Sequence, residues 1–237
     1  MTVEVDGIRF AWKPGQRDVV DIECFQVSAG ERVFIEGPSG SGKSTLFSLL
    51  GGVVSPREGT VRILQTNLSR MPAHRRDLFR ADHIGFVFQM FNLVPYLSML
   101  DNVTLPCRFS LLRRKRVRSR AESPEAEARR LLDRLGLNQH ELHGRPVTDL
   151  SIGQQQRVAI ARALIGAPEL IMADEPTSSL DEGTRERFLE VLTAQCDEMG
   201  ASLLFASHDM RLSSMFDRRV SLIELNRAAP GQPREPT

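Results

Sequence analysis

Val33-Phe34-Ile35-Glu36-Gly37-Pro38-Ser39-Gly40-Ser41-Gly42-Lys43-Ser44-Thr45 decides the fold class of this chain. A short apolar run enters a segment matching the phosphate-binding pattern G-x-x-x-x-G-K-[ST], with Gly40 as an extra glycine, and Leu46, Leu49 and Leu50 continue at helical spacing. Strand, glycine-rich loop and helix start form a cradle for phosphate in that order. Backbone N–H groups curl around the anion, the helix N-terminus adds partial positive charge, and Lys43 adds a full one. Gly37, Pro38, Ser39, Gly40, Ser41, Gly42, Lys43, Ser44 and Thr45 are therefore candidate contacts for a nucleoside triphosphate, with Ser44 as a Mg²⁺ ligand.

On both sides of this segment short β-type runs alternate with longer helical stretches. Arg32 to Glu36, Thr60 to Leu64, Ile84 to Phe88, Leu170 to Ala173, Ser202 to Ala206 and Val220 to Leu225 read as strands. Val3 to Val5 and Ile8 to Trp12 read as an N-terminal hairpin with Asp6-Gly7 as its turn. Leu170-Ile171-Met172-Ala173 and Leu203-Leu204-Phe205-Ala206 are apolar on both faces, as parallel strands covered by helices are. The class is α/β. Residues 91–165 contain little that reads as strand, and Ser123-Pro124 is an N-cap and N1 pair for a helix running to about Leu135, with Gly136 as C-cap. Beyond Arg227 the proline-rich tail has no periodicity and is expected to be mobile.

Composition removes several function classes. The 237 residues are 41% hydrophobic and 26% charged, near the average for globular proteins. Basic and acidic side chains, 31 and 30, leave a net charge of +1, so no global basic field points to nucleic acid. Cys24, Cys107 and Cys196 are too far apart in sequence for a metal or redox motif, which suits a reduced compartment. No apolar run is long enough for a membrane helix, and the N-terminus has no signal-peptide h-region.

A second motif narrows the chemistry. Glu169-Leu170-Ile171-Met172-Ala173-Asp174-Glu175 is an apolar strand ending in two acids. Beside a phosphate loop such an ending places Asp174 on the Mg²⁺ shell and leaves Glu175 to polarise a water attacking the γ-phosphate. Between the motifs lies Leu150-Ser151-Ile152-Gly153-Gln154-Gln155-Gln156-Arg157, which resembles the L-S-G-G-Q signature of ABC-type ATPases, with Ile152 in place of the first glycine.

Several further segments agree with that resemblance. Gln89, ending the strand Ile84 to Phe88, resembles the Q-loop glutamine that touches Mg²⁺ and water; Ser179-Leu180-Asp181 resembles the D-loop; His208 resembles the switch histidine that contacts the γ-phosphate and orients Glu175. Trp12 falls where the family places an aromatic residue on adenine, with Phe10 as the competing candidate. The resemblance implies a P-loop NTPase (RecA-like) core with an N-terminal antiparallel β subdomain and an inserted helical subdomain. It covers an ATPase domain at 1–227, with core at 1–89 and 166–227 and helical insertion at 90–165, followed by the tail 228–237. It also implies an ATP sandwich of two copies, in which Ser151, Gly153 and Gln154 of one chain face ATP held by the other. Catalysis is then carried by Glu175, His208, Gln89 and Lys43; the metal by Ser44, Gln89 and Asp174; nucleotide contact also by Trp12 and Asp181.

Gly85-Phe86-Val87-Phe88-Gln89-Met90-Phe91-Asn92-Leu93-Val94-Pro95, followed by Leu100-Asp101-Asn102-Val103, most resembles stand-alone ATPase subunits of the macrolide-export, lipoprotein-release and cell-division group. Such subunits serve a separate permease with large periplasmic domains, from the cytoplasmic face of the inner membrane. A soluble regulatory ATPase of the same family is the alternative. Arg113 to Arg120 is basic except at Val117 and Ser119 and reads either as a solvated helix end or as a contact for anionic headgroups. It lacks the interleaved aromatics of a nucleic-acid surface. His140 and His143 have helical spacing but no third metal ligand nearby.

Overall fold

At Asp6-Gly7 the chain does not reverse. A single strand, β1 (Val3–Phe10), runs through these residues and pairs antiparallel with β2 (Val20–Val27), from Val3↔Val27 to Phe10↔Val20. The expected hairpin is thus replaced by two longer strands, the second missed by pattern reading. The structure, a computed structural model, describes residues 1–139, 143–178, 180 and 182–229. They fall into two compact units, residues 1–77 with 202–229 and residues 78–201. Asp181, Ser179, His140 and the tail from 230 lie outside the described residues.

In the first unit β3 (Arg32–Glu36) leads through the phosphate loop into α1 (Lys43–Leu50), and β4 (Glu58–Ile63) and β5 (Thr66–Asn67) follow. The antiparallel sheet is ordered β2-β1-β4-β5. Asp-Gly makes a bulge here: Gly7 takes φ +57°, the register against β4 shifts between Asp6 and Arg9, and two successive exposed positions separate Val3 and Val5 from Ile8 and Phe10 on the buried face. Continuous pairing to β2 overrides the local turn preference.

Within α2 (Ala73–His83) the chain passes into the second unit, where β6 (Ile84–Phe88) pairs in parallel with β7 (Leu170–Asp174). Between those strands lie α3 (Met99–Phe109), α4 (Leu111–Arg118), α5 (Pro124–Arg134) and α6 (Ile152–Leu164), and α7 (Glu182–Met199) follows β7. α5 starts as expected, with Ser123 Oγ accepting from Ala126 N at 3.1 Å and Pro124 in the first turn. β6 approaches α6 so closely that a Cβ on Gly85 would lie 2.3 Å from Ala163 O.

The basic run is only partly a solvent face. Arg113 is 2% exposed, and its guanidinium donates to Ile84 O at 2.6 Å, Ile165 O at 3.0 Å and Ala163 O at 3.2 Å, tying α4 to the end of α6 and the start of β6. Burial lowers its pKa to about 10. Arg116 donates to Ala167 O and pairs with Glu169. Burial would raise the Glu169 pKa, but hydrogen bonds from His83 and Arg116 prevail and hold it at about 2. The run narrows to Lys115, Arg118 and Arg120 as exposed charges.

The chain then returns to the first unit with β8 (Ser202–Ser207) and β9 (Arg218–Ser221), parallel to β3 on its two sides. Phe34 of β3 stacks on Phe205 at 6.1 Å, both fully buried, and meets the half-buried Phe216 at 5.4 Å. Each such burial stabilises by roughly 1.5–3 kcal/mol. The run Val220 to Leu225 is not one strand: β9 ends at Ser221, and α8 (Leu222–Leu225) begins. Pairing stops because Ser221 stands opposite Glu36, the last residue of β3, after which β3 offers no further edge.

Candidate functional site

The phosphate loop leaves β3 at Gly37. Gly42, with φ +104°, caps α1, and no side chain caps the helix nor does any acidic residue occupy its first turn. Left-handed backbone at Gly40 and Gly42 lets successive N–H groups face one side. Gly37 is required by space, since a Cβ there would lie 2.5 Å from Ser41 Oγ. Lys43 is buried, and its ammonium donates to Gly37 O at 2.6 Å and Pro38 O at 3.1 Å, so the charge sits inside the loop. Ser44, Ser39 and Pro38 are exposed, while Ser41 and Thr45 are buried.

Asn226, a residue sequence reading did not single out, braces this loop. Its amide donates to Ser41 O at 3.1 Å and Val19 O at 2.9 Å, and its oxygen accepts from Asp21 N at 2.8 Å. Val19 O also lies 3.2 Å from where a Cβ on Gly42 would stand. Val19 N donates to Phe10 O, so the end of β1 lies beside the loop, and Trp12 follows two residues on. Trp12 is 56% exposed and contacts Phe10 edge-on at 5.1 Å, whereas Phe10 is 7% exposed. Only the indole presents a face to a ring from outside.

Parallel register brings the remaining candidates to strand ends. In the first unit Glu36 pairs with Ser207, so Gly37 and His208 leave adjacent strands at the same level. In the second, Phe88 pairs with Asp174, so Gln89 and Glu175 do the same. Carboxyl ends of parallel strands are where α/β folds bind ligands. Gln89 and His208 are exposed, and Asp174 and Glu175 partly so. Glu175 takes φ +48°, a left-handed conformation that costs a carboxylate residue about 1 kcal/mol or more.

Around these second-unit residues lie three struts that no local motif announces. Gln156 on α6 donates to Pro176 O at 3.2 Å, next to Glu175. Arg162, also on α6, donates to Phe91 O at 2.5 Å and Asn92 O at 2.6 Å, holding the two left-handed residues just after Gln89; burial lowers its pKa to about 10. Buried Asn102 accepts from Val94 N and donates to Val94 O at 3.0 Å and Ser98 O at 3.1 Å. At the start of α6 Ser151 Oγ accepts from Gln154 N, and Gln154 Oε1 accepts from Ser151 N, a reciprocal cap. Ile152 is 57% exposed there, and Gly153 has open space around it.

His143 is buried with Nε2 2.9 Å from Leu137 O, and among the described residues no cluster of metal-ligating side chains occurs. No helix among them is long and apolar enough to cross a membrane.

The sequence and fold have clear relatives. A family model described as ABC transporter matches residues 21–178. The chain is 40% identical over 200 residues to the lipoprotein-releasing system ATP-binding protein LolD of Hydrogenovibrio crunogenus, covering 84% of this chain and 83% of that one. It is 39% identical to the macrolide export ATP-binding/permease protein MacB 1 of Aeromonas hydrophila, covering 99% of this chain and 35% of that longer one. A solved dimeric ATP-binding cassette in a post-hydrolysis state, bound to ADP and Pi, superposes with a TM-score of 0.82 at 33% identity over 97% of both chains. With the family matched over most of its length and such relatives, the chain belongs to the ABC transporter family and is one of its ATP-binding, ATP-hydrolysing cassettes.

Proposed function

We propose that this chain drives a separate membrane permease as a peripheral subunit on the cytoplasmic face of the inner membrane, working as a pair of copies that bury two ATP molecules. The observation carrying the nucleotide chemistry is the start of α1, where an uncapped helix, left-handed glycines and the inward ammonium of Lys43 converge. The solved relative is dimeric, which supports the pairing of copies. A relative named as ATP-binding protein and permease in one chain supports the permease, and we take that partner to carry large periplasmic domains. The helical stretch 90–165 is the part we assign to permease contact, and Lys115, Arg118 and Arg120 are the charges left for anionic headgroups. A regulatory ATPase without a permease has no such support.

In this reading the loop Gly37 to Thr45 binds the ATP phosphates and Trp12 stacks on adenine. Ser44, Gln89 and Asp174 offer only hard oxygen donors, which suits Mg²⁺, and the bound ion would neutralise phosphate charge. Glu175 takes the proton of the attacking water, with His208 holding the γ-phosphate and fixing the carboxylate. The partner copy's Ser151 and Gly153 backbone complete the phosphate contacts. Glu175→Gln is expected to bind ATP while losing about 10³-fold in turnover and accumulating a dimer. Normal hydrolysis by that variant refutes the role. A tagged Glu175→Gln chain, purified from solubilised membranes with ATP and Mg²⁺, should bring down an integral membrane protein in equal copies; recovery of soluble dimer alone favours the regulatory alternative.

A further inference from the structure

In the second unit, α6, α7 and the end of α5 line a partly open cavity of about 210 Å³. Its walls are apolar at Leu135, Ile160, Phe188 and Val191, and two guanidiniums, Arg157 and Arg187, line it as well. Arg157 is held by carbonyl oxygens alone, donating to Gly153 O at 3.1 Å and to Leu135 O and Gly136 O at 3.3 Å. Those are dipoles rather than counter-charges. Among the described residues no carboxylate pairs with Arg157 or Arg187, whereas Arg116, Arg130 and Arg134 of the same unit each pair with a glutamate. Burial and then the neighbouring Arg187 charge lower the Arg157 pKa; Arg157 is half-buried and Arg187 is exposed to solvent.

A cavity of about 150 Å³ lined by apolar side chains accepts benzene. One somewhat larger, with two unneutralised guanidiniums on its surface, suits a ring or branched chain bearing a single acid group. The position matters as much as the chemistry. Gly153 and Gln156 also line the cavity, the first in the signature segment and the second donating to Pro176 O beside Glu175. An occupant therefore touches both the start of α6 and the strut to the acid pair.

We propose that this cavity binds a small organic monoanion with an aromatic or branched apolar body, and that occupancy alters ATP turnover through Gly153 and Gln156. The second half rests on the ATPase reading above; the first does not.

The test uses 2-naphthoate as probe on the full chain, by calorimetry, with 2-naphthylmethanol as its uncharged counterpart. Expected are one site per chain with a Kd on the order of 1 mM or tighter, and binding about tenfold weaker or worse for the alcohol and for Arg187→Gln. Val191→Trp, which fills the cavity, should abolish binding, and Lys43→Ala should leave it intact. Equal binding of the alcohol, full binding by both cavity variants, or no detectable binding would each overturn the site. Loss of binding in Lys43→Ala overturns it too, because the anion then occupies the phosphate loop. At saturation the probe should change turnover about twofold or more in the parent and not in Val191→Trp; unchanged turnover sinks the regulatory half. A parent chain with no turnover under any condition counts against the ATPase reading and leaves the calorimetric result standing.

Discussion

The first turns of α1 and α6 are both assigned to meet phosphate, and they are built in opposite ways. At α1 the cap is a glycine with no side-chain cap bond, the first turn holds no acidic residue, and the Lys43 ammonium rests on Gly37 O and Pro38 O. At α6 the same positions are filled from within the chain, because Ser151 and Gln154 cap each other. An anion arriving at α1 finds helix N–H groups without a side-chain cap and an ammonium held by loop carbonyls. At α6 it must first displace a side chain already bonded to the backbone, which costs about 1 kcal/mol. Under the proposed function the difference implies an order of events: a single chain would bind nucleotide at α1, and α6 would engage only when the rest of a closed interface supplies the balance.

Four substitutions break or sharpen this contrast. Lys43→Ala should weaken ATP binding by the isolated chain about 10²-fold or more by calorimetry, since a buried cation is lost from the phosphates. Gly42→Ala forces a side chain into φ +104° with Val19 O and Asn226 Nδ2 each 3.2 Å from the new Cβ; roughly tenfold weaker ATP binding and a lowered melting temperature are expected. Ser151→Ala should reduce turnover about tenfold, with α6 losing about 1 kcal/mol of cap, yet leave ATP affinity of the single chain as it was. Should this variant lose single-chain affinity as Lys43→Ala does, the proposed order is wrong. Gln154→Ala removes only the reciprocal half of the cap, so stability should fall by a few tenths of a kcal/mol and turnover stay within about twofold. A large turnover loss there would give Gln154 a direct contact in the closed dimer.

The motifs were legible because their chemistry is local. A glycine loop between strand and helix, two acids at a strand end and a serine at a helix start are each set by a few consecutive residues. The choice between Trp12 and Phe10 as the proposed adenine contact draws on more than local pattern: burial separates an exposed indole from a packed phenyl two positions away. The basic run shows the limit from the other side. Six charges in eight positions read as a surface, because buried arginines are rare. Arg113 is nonetheless inside, since the ends of β6 and α6 leave carbonyl oxygens that a guanidinium can satisfy. A Cβ on Gly166 would lie 2.5 Å from Arg113 Cβ, so a glycine far along the sequence makes room for it.

By itself, then, the sequence determined the α/β class, the phosphate loop, the acid pair and the helical insertion, all of which depend on spacing within one element and its neighbour. Only the tertiary structure decided that β1 runs on through Asp6-Gly7, that Val220 to Leu225 breaks at Ser221, and that Asn226, Arg162, Gln156 and Asn102 brace the functional loops. The reason is common to all of them. A strand's length is fixed by the edge it pairs with, and a bracing side chain by the backbone group it reaches. Edge and acceptor alike come from residues distant in sequence, which no local pattern encodes.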